Sequence, residues 1–249
     1  MVVLGDIHTP VHDESAVTMA LEVIKHVKPK YVVQIGDLGE FASISDHKRL
    51  RGQSRNFAEE LYGAYDMAER IRQTAVDANP EAQCWLTEGN HDARVEKLVG
   101  TDLPEFVDLH ELDLLHQLTR RGWSCVPWNV PLHVNDNLIL IHEGAATLTS
   151  SNVKALGRSK IYGHTHRAGV VYAGQEFGTL HLGMMVGYLG DKHKMVVRGY
   201  KALPDYIHGV GLVSFGPEGL FQASFVPFVR KKTDGALWAC IDGYHCEVR

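Results

Sequence analysis

The chain has 249 residues, 45% of them hydrophobic and 22% charged, and a formal net charge of −5. That balance fits a globular protein with a sizeable core, as one large domain or two small ones, and excludes a strongly basic nucleic-acid binder while leaving room for a local basic patch. Cys84, Cys125, Cys240 and Cys246 are scattered with no CxxC pair and read as reduced thiols of a cytoplasmic protein, no apolar run reaches the length of a membrane span, and the N-terminal MVVLGDIH lacks the basic and long apolar segments of a secretory signal.

The first element is a strand, MVVLG. It is followed by DESAVTMALEVIKHVKP, in which Val17, Leu21 and Ile24 fall at helical spacing with Lys28 next in the series. Asp13 or Ser15 can cap this helix and Pro29 stops it. YVVQIG is the second strand. NFAEELYGAYDMAERIRQTAVDANP is a longer helix ending near Asn79 and Pro80, and CWLTEG is the third strand. Strand and helix in alternation predict right-handed crossovers and a largely parallel first half.

The second half changes character. WSCVPWNVPLHVNDNLILIH holds Asn135-Asp136-Asn137 between apolar stretches, and GVGLVSFGPEGLFQASFVPF repeats the pattern around Gly216-Pro217-Glu218-Gly219; both are hairpin signals. KIYGH adds a further short strand. The expectation is a two-sheet α/β sandwich with flanking helices rather than a doubly wound single sheet, with mainly antiparallel pairing late in the chain. Residues 1–230 form the main domain, and residues 231–249, different in composition, form an appended hairpin or a loose tail. Cys240, His245 and Cys246 are close in sequence, but no second half of a zinc site accompanies them.

Ligands of α/β sheets collect beyond the carboxyl ends of the strands. Five apolar runs here end in Gly5-Asp6-Ile7-His8, Gly36-Asp37-Leu38-Gly39-Glu40, Gly89-Asn90-His91-Asp92, His142-Glu143-Gly144 and Gly163-His164-Thr165-His166. In the first three and the fifth, the glycine before the polar group permits the backbone angles of a tight exit from the strand. Any one of these groups alone would be an ordinary polar loop. Together, carboxylates, imidazoles and a carboxamide suit borderline divalent metals, manganese foremost and iron or zinc as well, and they exceed what one tetrahedral ion needs. Two ions about 3.5–4 Å apart can clamp the attacking and leaving oxygens of a phosphoryl transfer, with a shared water acidified toward hydroxide.

The blocks D-x-H, G-D, G-N-H-D, a lone H and G-H-x-H, in this order from Asp6 to His166, resemble the pattern of the calcineurin-like metallophosphoesterases. The resemblance implies a four-layer αββα sandwich of two mixed sheets flanked by helices. It implies one metal on Asp6, His8, Asp37 and His166 and a second on Asp37, Asn90, His142 and His164, with Asp37 as the bridge. His91 matches the histidine that assists the leaving group. Asp92 is the expected partner that orients it. Glu40 reads equally as a support of the metal ligands or as a solvated loop acid. His12 and His181 read as surface and half-buried core residues, with a place beside the pocket as the alternative. In the basic run DHKRLRGQSR, Arg49 and Arg51 are candidates to grip substrate phosphate.

The Ser/Thr protein phosphatases of this superfamily carry V-D-R-G after the G-D pair and G-N-H-E later; Leu38-Gly39-Glu40 and Gly89-Asn90-His91-Asp92 differ from both. The pattern is closer to the phosphodiesterase and nuclease branches. The expected activity is a phosphodiesterase on nucleotide or nucleic-acid substrates, with a phosphomonoesterase or a non-catalytic scaffold of the same fold as the alternatives.

Overall fold

Alternate residues of the first strand face different neighbours. Val2 and Leu4 pack among helix residues, whereas Val3 packs with Val33, Ile35, Leu140, Ile161 and Met184 between two sheets. Both faces are buried, which is why the run is continuously apolar. The computed structural model describes residues 1–46, 56–155, 157–174, 180–195 and 205–249.

The first half comprises β1 (Val2–Leu4), α1 (Glu14–Val27), β2 (Tyr31–Gln34), α2 (Phe57–Ala78), β3 (Gln83–Thr87), α3 (Ala93–Lys97), α4 (Leu114–Arg120) and β4 (Trp123–Val126). The second half comprises β5 (Leu132–Asn135), β6 (Leu138–Leu140), α5 (Ser150–Ala155), β7 (Ser159–Tyr162), β8 (Ala168–Gly174), β9 (Leu180–Val186), α6 (Lys192–Met195), β10 (Gly209–Phe215) and β11 (Phe221–Pro227). One sheet has the order β11-β10-β1-β2-β3-β4, parallel from β1 to β4, with β10 and β11 added antiparallel. The other has the order β5-β6-β7-β9-β8. Its centre, β6-β7-β9, is parallel, which the sequence pattern did not show, and its edges are antiparallel.

The two sheets stack face to face. Helices α1, α2 and α4 cover the outside of the first through residues such as Ala20, Ile24, Leu61, Ile71 and Leu118. On the second sheet, Leu182 and Met184 face inward, so Gly183 between them faces outward. A Cβ there would lie 2.6 Å from Cγ2 of the buried Val153, so α5 is the outer layer on that side. The architecture is therefore a four-layer αββα sandwich of two mixed sheets, with a thin fourth layer.

Local signals explain the ends of the main helices. Asp13 accepts from the backbone N–H of Ser15 and Ala16 at 3.0 and 3.1 Å, so Asp13 rather than Ser15 caps α1. Asn56 caps α2 through Glu59 N–H. The predicted hairpin at residues 135–137 is β5–β6, closed by the Asn135 side chain, which accepts from the N–H of Asn137 and Leu138. The stretch WSCV, in contrast, is β4, parallel to β3 in the other sheet. Residues 127–131 thus carry the chain from one sheet to the other.

After β11 come β12 (Val229–Arg230), β13 (Leu237–Ile241) and β14 (Tyr244–Val248), a small antiparallel sheet. Leu237, Ala239 and Ile241 join the core that contains α1, and the His26 and Tyr244 rings stack at 3.8 Å. Helix α1 packs against both α2 and this sheet, and it buries Ala16, Met19, Ala20 and Val23 beyond its single predicted stripe. Cys240 pairs across strands with His245, so Cys246 lies on the opposite face, away from both.

Candidate metal centre

The loops after β1, β2, β3, β6 and β7 meet at the carboxyl ends of both sheets. Ile7 and His8 N–H both donate to Asp37 O, at 3.0 and 2.9 Å, which ties the first two loops together. His164 N–H donates to Asp6 Oδ1 at 3.1 Å, and this bond joins a loop of the second sheet to β1 of the first. His91 N–H donates to Asp37 Oδ1 at 2.9 Å.

These ties gather the side chains into two groups, Asp6–His8–His166 and Asp37–His142–His164. In the first, the Nε2 atoms of His8 and His166 are 3.0 Å apart, and His166 Nε2 is 3.1 Å from Asp6 Oδ2. In the second, Asn90 Oδ1 lies 3.2 Å from His142 Nε2 and 2.9 Å from His164 Nδ1. Asp37 Oδ2 stands between the groups, 3.3 Å from His142 Nε2 and 3.8 Å from His8 Nε2. All seven sequence-predicted donors therefore converge.

The hydrogen-bond chemistry fits a cation. His142 Nδ1 lies 2.8 Å from Ile35 O, a contact only an N–H can make. The other nitrogen, Nε2, also faces oxygens, those of Asn90 and Asp37. A neutral ring has one N–H and cannot serve both sides. Either a proton or a metal must sit on Nε2, and a ligating histidine characteristically donates its other N–H to a carbonyl in this way.

Electrostatics point the same way. Burial disfavours the imidazolium of His142, yet Asp37 and then Asp6 outweigh it and raise its pKa to about 10. Burial likewise opposes charge on His91, but Asp37 and Glu40 raise it to about 9. Asp37 resists its own burial because His142 and His91 hold its carboxyl well below the usual range. With protein groups alone, the carboxylates are balanced by protons on histidines; a bound cation would take that place.

The backbone is strained where the donors sit. His8, Asp37, His164 and His166 adopt φ of 56°, 51°, 62° and 58°, a left-handed region uncommon for residues with a side chain. Strain of this kind clusters at functional sites. Of the glycines preceding the donors, only Gly36 has positive φ, at 102°. The others serve close approach instead: a Cβ on Gly89 would run into the Asp37 carboxylate, and one on Gly163 into Asp6 Oδ1. This corrects the sequence-based reason for them.

Asp92 does not orient His91. Its buried carboxylate accepts from the backbone N–H of Leu38, Gly39 and Gly89, at 3.2, 3.0 and 3.1 Å, and holds the loops that carry Asp37 and Asn90. Burial, with Asp37 nearby, raises its pKa to about 6. The partner of His91 is Glu40, whose carbonyl lies 2.9 Å from His91 Nδ1 and whose Oε2 is 3.3 Å from the same atom. Glu40 Oε2 is also 2.8 Å from His8 Nδ1. Burial opposes the charge on Glu40, but the two histidines hold its pKa down at about 2. The D-x-x-E spacing from Asp37 was the available signal.

Arg49 and Arg51 lie outside the described residues. His12 faces Glu14 at 3.2 Å, and His181 stands on β9 beside Ala173, far along the strand from its carboxyl end. A groove of ≈ 700 Å³ is lined by Asn90, Arg94 and Trp128, with Glu88, Glu96 and Asp102 and the ion pair of Lys97 with Asp46 also on its walls.

No family model matches the chain. It is 24% identical to the Gene 54 protein of Mycobacterium phage D29 and 22% identical to the Gene 54 protein of Mycobacterium phage L5, each over 96% of this chain and 98% of the relative. A solved structure described as "Structural and biochemical characterization of Yfce, a phosphoesterase from E. coli" aligns over 100% of this chain and 98% of that one, with a TM-score of 0.39 and 16% identity.

Proposed function

We propose that this protein is a dinuclear metal-dependent phosphoester hydrolase acting on phosphodiesters. The observation that carries the reading is the position of Asp37 Oδ2 between His142 Nε2 and His8 Nε2, so that one buried carboxylate is common to two donor groups. Asp6, His8, Asp37 and His166 would hold one ion, and Asp37, Asn90, His142 and His164 the other. The mixed oxygen and nitrogen set suits manganese, iron or zinc. When bound, such a pair supplies charge stabilisation for the phosphoryl oxygens and a nucleophilic water at neutral pH.

The chain's own groups then do the rest. Glu40 O accepts a hydrogen bond from the Nδ1–H of His91, which leaves Nε2 as the acid toward the departing oxygen. Glu40 Oε2 against His8 Nδ1 keeps the opposite nitrogen of that ring turned to the site. Asp92 locks the two loops on which Asp37 and Asn90 are mounted. The Leu38-Gly39-Glu40 and Gly89-Asn90-His91-Asp92 blocks favour diesters over phosphoproteins.

The test is metal reconstitution with Mn²⁺, Fe²⁺ or Zn²⁺ followed by turnover of bis-p-nitrophenyl and mono-p-nitrophenyl phosphate. Diester hydrolysis with about two metal equivalents bound is the expected result. Monoester turnover alone would replace the diesterase reading, and an inert protein that takes up no metal would remove the hydrolase reading.

A further inference from the structure

Building on that reading, we propose that the groove beside Asn90 is the subsite for the nucleobase of a nucleotide phosphodiester, with Trp128 as the stacking surface and Arg94 as the phosphate-side anchor. Trp128 belongs to the segment that crosses between the sheets, and it is 42% exposed. An indole left this open at the rim of a groove forgoes the burial that aromatic side chains usually obtain.

Its backbone is nevertheless held. Trp128 N–H donates to the buried Glu88 carboxylate at 2.9 Å, Val130 N–H closes a turn on Pro127 O at 3.1 Å, and Asn129 takes a left-handed φ of 61°. A hydrogen-bonded turn thus holds Trp128 in the lining of the ≈ 700 Å³ groove that Asn90 also lines. Every base has a π-face, so stacking needs no particular hydrogen-bond pattern.

Arg94 stands on α3 and lines the same groove. Its Nη1 donates to Glu40 O at 2.8 Å, the same carbonyl that holds His91. This bond engages Nη1, and the other N–H groups of the guanidinium suit a phosphate oxygen. Asn90 of the donor cluster, Arg94 and Trp128 thus line one groove, which offers a phosphate contact and a stacking surface to the same ligand.

The experiment compares adenosine 5′-(methyl phosphate) with ribose 5-(methyl phosphate), two diesters that differ only in the base, on the metal-reconstituted full chain. In Trp128→Ala, kcat/KM for the adenosine ester should fall about tenfold, the scale of one base stack, mainly through KM, while the ribose ester is unchanged. Trp128→Phe should retain most of the preference. Independently, adenosine 5′-monophosphate should quench indole fluorescence of the metal-free wild type, and this quench should vanish in Trp128→Phe. Equal losses on both esters, or no loss on either, overturn the subsite while leaving the hydrolase intact. A wild type that hydrolyses neither diester, whatever the metal, removes the underlying activity and the subsite with it.

Discussion

The Nε2 atoms of His8 and His166 face each other at 3.0 Å, although the residues are 158 positions apart in the chain. Two lone pairs aimed at one another repel unless a proton or a cation lies between them. Adding Mn²⁺ or Zn²⁺ to metal-free protein should therefore raise its melting temperature, by an amount equivalent to about 2.7 kcal/mol at a hundredfold excess over Kd. His166→Ala should abolish the share of that rise due to the ion His166 would hold, while leaving the metal-free melting temperature within a few degrees. Scanning calorimetry with and without metal measures both, and a wild type indifferent to metal would contradict the assignment.

His91→Gln should lower kcat by about 10²–10⁴-fold, the usual contribution of a positioned general acid. The substitution replaces none of the seven donors and keeps the backbone N–H that donates to Asp37 Oδ1, so metal content by elemental analysis should match the wild type. Full activity in the variant would show that the leaving group is protonated by another residue.

Asp37 and Glu40 together set a pH effect in the metal-free protein. The folded pKa of His91, about 9, is above the ordinary 6.5, so the folded state holds this proton more tightly than the unfolded state. Stability from this group is complete below about pH 6.5 and is lost as pH rises through about 9. His142, raised to about 10, acts in the same direction. Urea unfolding between pH 6 and 10 should show falling stability, and Glu40→Gln should flatten the slope because it removes one of the carboxylates that favour the His91 imidazolium. An unchanged slope in the variant would show that Glu40 does not hold His91 charged.

Leu237→Ala tests whether the small C-terminal sheet is part of the core. Leu237 is 1% exposed and packs in the cluster that contains α1. Truncating a side chain so placed costs about 2–5 kcal/mol. Chemical denaturation should show that loss as a single transition; a variant as stable as the wild type would mean that the sheet rests loosely on the rest of the fold.

Much of the architecture was legible because both faces of the central strands are buried, which leaves unbroken runs such as MVVL and YVVQ between amphipathic helices. The donors were legible because they stand at the ends of those runs, in four of the five blocks behind a glycine. The role of Glu40 was left open and that of Asp92 misread because both depend on side-chain direction after the chain turns. Asp92 follows His91 directly, yet its carboxylate turns into the amides of Leu38, Gly39 and Gly89. Glu40, fifty-one positions from His91, reaches it. The parallel centre of the second sheet was hidden because β6, β7 and β9 are separated by segments without a strong helical pattern.

By itself the order of residues determined where strands end and which polar groups stand there, since periodicity and glycine placement are local properties. Only the tertiary structure decided which of those groups meet. Contacts such as His8 with His166, or His142 with Ile35, depend on two sheets stacking with their carboxyl ends at one pole, and no local pattern encodes that distance.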